Sequence, residues 1–315
     1  MIDRACISMS NECNMSCHYC HFSGKAINEY VVPETLLTIV DNITEYINTN
    51  KVDSFKIGLV GAGEPLLQFD LLKNIILYAE SRSNSIKFYT ISNGLSIHDE
   101  MLEFFRDHVD SVKLSFSLDG YRTLHDMNRV TLCGNGSFST VMKSISRYND
   151  FLGTSPEINC TVHRYTINNK EETFDFFLRN RLDRVNFSRI VDVEGTELEI
   201  NQTEFESFLT DAASAGLKSR QMSSSISADC MMYGKYCGVG RNNIFYFGNR
   251  VYPCGRFLGR NEYVIGHSAE PLERIENRIR NMTSCSSKKC YFETLVKKRP
   301  ARNNVITPNV MERLS

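Results

Sequence analysis

Residues 12 to 22 read ECNMSCHYCHF and place cysteines at Cys13, Cys17 and Cys20. Thiolates are soft ligands, suited to zinc or to the iron of an iron–sulfur cluster. A closed zinc site takes four nitrogen or sulfur ligands, and a fully protein-ligated cluster takes four thiolates. Three thiolates on one loop leave a position open. On a four-iron cluster, that position would be an iron able to chelate a small molecule through an amine and a carboxylate. The competing reading is zinc, with His18 or His21 as fourth ligand, but both lie inside the tight loop and would strain it.

The chain has eleven cysteines among 315 residues. In a reducing compartment so many thiols point to metal binding or catalysis rather than to disulfides. Cys237, Cys254, Cys285 and Cys290 form a second group. Four thiolates suffice for a closed cluster or a structural zinc. Cys6 and Cys160 fall within strand patterns and read as small core residues. Cys133 and Cys230 fall in loops, and either is a candidate hydrogen-atom donor if a carbon radical forms nearby. His163 is a candidate base or a satisfied core histidine. Arg189 is suited to a substrate carboxylate or to an internal acid.

These residues need a scaffold. Period-two and period-3.6 patterns alternate along the first 215 or so residues. Strands are expected at 4–9, 54–60, 86–92, 111–118, 157–165 and 184–191. Helices are expected from Pro33 onward, then at 69–80, 98–107, from Phe138, at 171–180 and at 202–215. Such alternation implies parallel strands with chemistry at their C-terminal ends. Six units fall short of a closed eight-fold barrel, so an open, partial (βα)6 barrel is expected. After residue 216 the pattern becomes irregular, with a hairpin around Gly248-Asn249 and a helix near 271–282. The expected division is a barrel over 1–216 and a smaller cysteine-rich domain over 217–315.

Several motifs follow strand ends in a fixed order: the cysteine loop, GAGEP (61–65), ISNG (91–94) and SFSLDG (115–120). HDMNR (125–129) and GNGSF (134–138) come next. In this order they resemble the radical S-adenosylmethionine (AdoMet) superfamily, whose signature is C-x3-C-x-φ-C with an aromatic φ, here Tyr19. Ala62 stands where that family usually has a glycine. The resemblance implies a [4Fe–4S] cluster on Cys13, Cys17 and Cys20, with AdoMet on its open iron. It further implies that Gly63, Glu64, Ser92, Asn93, Ser117, Asp119 and Arg129 hold AdoMet. One electron from the reduced cluster would cleave AdoMet to a 5′-deoxyadenosyl radical, which takes a hydrogen from substrate.

CGVG…GNRVYPCGRF (237–257) resembles the start of the SPASM domain, an auxiliary-cluster module of this superfamily. With four cysteines in register, it resembles the shortened twitch form with one auxiliary [4Fe–4S] cluster. The spacing of Cys285 and Cys290 is looser than usual, which leaves Cys230 as a substitute ligand.

HDMNR and GNGSF resemble the peptide-modifying branch, so the leading expectation is a maturase of a ribosomally made peptide. Its chemistry would be epimerisation, cross-linking or oxidation. The chain starts directly at the first strand, so the barrel or a separate protein is expected to hold a leader peptide. A small-molecule dehydrogenase, for instance acting on an aminoglycoside alcohol, is the alternative. A non-catalytic metal-binding regulator is a third reading. An external one-electron donor such as flavodoxin or ferredoxin is expected. Net charge is −1, which disfavours nucleic acid as partner. The basic lean from Arg256 to Arg302 reads as a solvated face. The N-terminus has no signal-like segment and no apolar run spans a membrane, so a cytoplasmic protein is expected.

Overall fold

The structure is a computed structural model that describes residues 1–22, 30–219 and 242–282. Cys230, Cys237, Cys285 and Cys290 lie outside the described residues, as does most of the basic lean.

Six parallel strands form the expected series: β1 (Arg4–Ser8), β2 (Phe55–Leu59), β3 (Ile86–Ser92), β4 (Val112–Ser117), β5 (Glu157–Val162) and β6 (Val185–Arg189). The crossovers carry α1 (Pro33–Asn50), α2 (Phe69–Arg82), α3 (Asp99–Asp107), α5 (Phe138–Leu152) and α7 (Lys170–Arg179), and α8 (Gln202–Ser214) follows β6. Two short helices were not expected, α4 (Arg122–Asp126) and α6 (Arg164–Asn168). The helices form for the reasons the sequence suggests. In α1, Pro33 opens the first turn, where a missing N–H does no harm. Leu36, Ile39, Val40, Ile43 and Ile47 then recur on one face and are buried.

Each strand sends alternate side chains to opposite faces. Ala5, Ile7, Ile57, Leu59, Phe88, Leu114, Phe116, Ile158 and Val162 join the helices in one continuous hydrophobic core. The other face carries the partly buried, mostly polar set.

The hairpin is present as β7 (Asn243–Phe247) and β8 (Arg250–Tyr252), followed by the short β9 (Gly266–His267). Gly248 supplies the left-handed turn residue, with φ of 57°. The strand order is β6-β5-β4-β3-β2-β1-β7-β8-β9. β7 therefore runs parallel to β1, with Arg4 opposite Asn243 and Ser8 opposite Phe247. Sequence patterning gave no hint of this junction. Among the described residues, no pairing closes β6 onto β9, as expected for an open sheet. Helix α9 (Leu272–Met282) returns to α1, where Tyr46 donates to Glu276 at 2.6 Å.

Strand five is shorter than its apolar pattern suggests. It ends at Val162, and His163 is the N-cap of α6 rather than a strand residue.

Candidate active site

The cysteine loop leaves the C-terminal end of β1, the internal strand between β2 and β7. Two other segments clamp it. On one side is the 61–65 turn after β2. The Ser8 hydroxyl accepts from Ala62 N–H at 2.9 Å, and Glu64 N–H donates to Glu12 O at 2.7 Å. Gly63 has φ of 77°, and a Cβ there would lie 2.5 Å from Glu12 O and 2.7 Å from Ser10 O. The turn can approach the loop this closely only because residue 63 has no side chain.

On the other side lies the 127–131 segment. Ser16 N–H donates to Val130 O at 2.9 Å, and His18 N–H donates to Asn128 O at 3.0 Å. His18 Nδ1 lies 3.0 Å from Met127 O. One ring nitrogen of a proposed zinc ligand is therefore already engaged in fixing the loop. The cysteine loop is thus held on both flanks by main-chain bonds.

Glu64 is buried, and its carboxylate accepts from Ser92 Oγ (2.8 Å), Asn93 N–H (2.8 Å) and Leu66 N–H (3.2 Å). Burial raises its carboxyl above the usual range, and these donors oppose the rise. Glu64 ties the turn after β2 to the turn after β3. Asn93 in turn donates to Asn14 Oδ1 at 2.7 Å, and its Nδ2 lies 3.9 Å from Cys13 Sγ. Glu64, Ser92 and Asn93 thus join the two turns to the cysteine loop.

Asp119 follows β4 and is fully buried. Oδ2 accepts from Arg129 Nε at 2.9 Å and from the Tyr19 hydroxyl, while Oδ1 accepts from Thr161 N–H at 2.9 Å. Burial would raise this carboxyl, but the Arg129 guanidinium holds it below the usual range. Arg129 also sits 5.6 Å over the Tyr19 ring. Ser117, the last residue of β4, is half-buried two positions before Asp119.

The HDMNR and GNGSF segments interlock. Buried His125 accepts from Asp119 N–H through Nδ1 at 3.2 Å, and its Nε2 lies 2.9 Å from Ser137 Oγ. Ser137 donates to Arg129 O at 2.8 Å, so Nε2 is the protonated nitrogen. Asp126 accepts the first amide of α5, from Phe138 at 2.8 Å. A Cβ on Gly136 would lie 2.3 Å from the Asp126 carboxyl carbon. The motif residues therefore build the platform that presents Arg129.

Cys13, Cys17 and Cys20 interact electrostatically with one another, and burial pushes Cys17 up to about 11. Burial also raises Cys13. Thiols that ionise reluctantly on their own are deprotonated outright by bound iron. Arg129 beside Cys17 and the Asn93 amide beside Cys13 supply positive charge and an N–H donor to the sulfurs. By its chemistry this donor set suits an iron–sulfur cluster, although among the described residues no three such side chains are grouped closely enough to hold a single metal ion.

The remaining candidates are dispersed. His163 is buried 6.4 Å from the Tyr19 ring, measured between centroids, and its Nε2 lies 3.1 Å from Asn128 Nδ2. Burial lowers it to about 4, so it is neutral at pH 7. Cys133 is exposed. Cys160 lies in the core, as expected. Cys6 is buried on the opposite, polar face, 3.4 Å from the Tyr89 hydroxyl. Arg189 donates to Ile200 O at 2.8 Å. Cys254 joins a small cluster with Phe247, Tyr252, Phe257, Ala62 and Phe22. Ala62, the departure from the family pattern, thus uses its methyl group to seat the hairpin. Sequence reasoning missed Ser8, Asn128 and Thr161, which act through main-chain contacts or long-range pairing.

The radical SAM superfamily model matches residues 7–177. The cysteine-type anaerobic sulfatase-maturating enzyme of Clostridium novyi (strain NT) is 25% identical over 215 residues, 64% of this chain and 55% of that protein. The chain spans about half the length of the curated relatives it matches. Among solved structures, native anSMEcpe with bound AdoMet superposes with a TM-score of 0.74 at 16% identity, over 93% of this chain and 88% of that one. The same protein with AdoMet and a Cp18Cys peptide gives 0.73. Streptococcus suis SuiB bound to precursor peptide SuiA gives 0.65 at 18% identity, over 88% of this chain and 64% of that one. At such identities these structures speak for the fold. No helix among the described residues is long and apolar enough to cross a membrane.

Proposed function

The chain belongs to the radical SAM superfamily, and from that premise we propose that it modifies a peptide by radical chemistry at the cysteine loop. The observation that carries the reading is the convergence of the three segments that follow β2, β3 and β4 on that loop, through Gly63, Glu64, Asn93 and Arg129. Family membership implies a [4Fe–4S] cluster and AdoMet, which together supply a strongly oxidising carbon radical. Cys13, Cys17 and Cys20 would hold the cluster. The face formed by Gly63, Asn93, Ser117 and Arg129 would hold AdoMet, with the buried Glu64, Ser92 and Asp119 and with Tyr19 fixing that face in place. Asp119 holds Arg129, and His125 and Ser137 hold the segment that bears it.

Peptide as substrate is supported by relatives whose solved forms carry peptides, anSMEcpe and SuiB. Epimerisation, cross-linking and oxidation remain the candidate outcomes. Cys237, Cys254, Cys285 and Cys290 are proposed to hold an auxiliary [4Fe–4S] cluster in a domain spanning 217–315, with Cys230 as substitute ligand. The packing of the Cys254 segment against Ala62 and Phe22 supports a position near the cysteine loop. Flavodoxin or ferredoxin is the proposed electron donor, in the cytoplasm.

The test is anaerobic reconstitution with iron and sulfide counts, beside a triple Cys13→Ala, Cys17→Ala, Cys20→Ala variant. Two clusters give about eight irons in the native chain and about four in the variant. The native chain should release 5′-deoxyadenosine from AdoMet under dithionite, and the variant should release none. Zinc without sulfide would overturn the assignment.

A further inference from the structure

The sheet face opposite the helices carries an unmatched row of cations. Arg4, Lys56 and Lys87 are direct neighbours in register across β1, β2 and β3. Lys113 lies on the same face of β4, opposite Tyr89, which is two residues beyond Lys87. Each is exposed or half-exposed, and each sits at the N-terminal end of its strand. The core-facing positions beside them, Ala5, Ile57, Phe88 and Leu114, are all buried. None of the four cations has an ion-pair or side-chain hydrogen-bond partner among the described residues. The nearest acid on this face in the strand register is Glu157 of β5, and it accepts from Asn186 at 3.2 Å. Like charges directly opposite one another across strands destabilise a sheet. A chain of net charge −1 has acids enough to neutralise such a row, yet among the described residues none stands opposite it in the strand register.

The geometry points to an anion-binding floor for the substrate: Arg4, Lys56, Lys87 and Lys113 receive the carboxylates of an acidic stretch that crosses the strands at this end, the rest of the peptide lying along them. This rests on the peptide reading above and names the peptide's chemistry. The cations occupy one end of the sheet face, and the cysteine loop rises from the other. From Lys87 to Ser92 is five residues, roughly 17 Å at the rise of a strand. An extended peptide covers that distance in about five residues. The substrate therefore carries its acidic residues about four to six positions from the residue it has modified. A nucleic acid fits less well, because the row is short and lies within a sheet face on a protein with no net positive charge.

The test uses the reconstituted full chain and two fluorescein-labelled peptides of equal length, one with alternating Glu and Ala, the other with Gln in place of Glu. Anisotropy titrations at low salt should show the Glu peptide binding about tenfold more tightly, the sum of two or three partly exposed ion pairs. A Lys56→Gln, Lys87→Gln double variant should lose that preference, and added salt should weaken it. The helix-surface variant Lys143→Gln should keep it. Thermal midpoints guard against misfolding, since the double variant removes repulsion and should melt no lower than the native chain. Equal affinity for both peptides, or a preference untouched in the double variant, overturns the proposal. So does tighter binding of a single-stranded oligonucleotide of equal charge. Iron content and 5′-deoxyadenosine release test the radical reading separately. A chain that cleaves AdoMet but ignores peptide charge keeps that reading and loses this one.

Discussion

Asp119 meets three donors with two oxygens, and that economy decides what its replacement does. Arg129 and the Tyr19 hydroxyl share Oδ2, while Thr161 N–H takes Oδ1. Asp119→Asn keeps the shape but leaves the mostly buried guanidinium without a counter-charge. Removing one partner of such a pair is expected to destabilise by about 3–5 kcal/mol. The melting temperature of the reconstituted protein measures this, and 5′-deoxyadenosine release should fall with it because Arg129 loses its anchor. An unchanged melting temperature would mean that Arg129 finds another anion. The sequence named Asp119 and Arg129 as cofactor contacts. It did not show that they bind each other, because ten positions of spacing say nothing about where a loop and a short helix fold back.

At the scale of elements, the strand and helix series was legible, since alternation and 3.6-residue periods are written directly in side-chain type. The ends were less so. The pattern EINCTVHRY reads as unbroken strand, but Thr166 Oγ1 accepts from His163 N–H and helps to start α6 there. The clamp on the cysteine loop was invisible for a simpler reason: the bonds from Ser16 and His18 to Val130 and Asn128 are main-chain bonds, which any residues could make. His125, which joins α4 to the end of β4 and the start of α5, gives this level a pH test. Burial lowers it to about 3. Above its unfolded pKa of about 6.5, neither state is protonated and it contributes no pH dependence. As pH falls below 6.5, the unfolded chain gains a proton that the native chain refuses, and stability drops. At pH 5.5 that loss is about 1.4 kcal/mol for His125 alone. Denaturation under argon at pH 7.5 and 5.5 should show His125→Gln losing about that much less than the native chain. Equal losses would mean that His125 titrates normally in the fold.

The whole molecule is a nine-strand sheet among the described residues, and β1 lies within it rather than at its rim. The hairpin itself was legible from Gly248-Asn249, but its junction with β1 is a long-range choice with no local signature. Phe247 is fully buried in the cluster that touches Ala62 and Phe22. Phe247→Ala should destabilise by about 3–5 kcal/mol. Because that cluster backs the cysteine loop, iron per chain should fall as well, even where circular dichroism shows the sheet intact. Full iron retention would uncouple the hairpin from the loop. The position of β1 also governs when the protein can mature. Arg4 pairs with Asn243, so the strand that launches the first cysteine loop lacks one neighbour until nearly the whole sheet has emerged from the ribosome. At about 5–20 residues per second, that wait is roughly ten to fifty seconds. Nascent chains therefore expose three unligated thiols until β7 emerges, and iron delivery belongs after that point, when both flanks of β1 are in place.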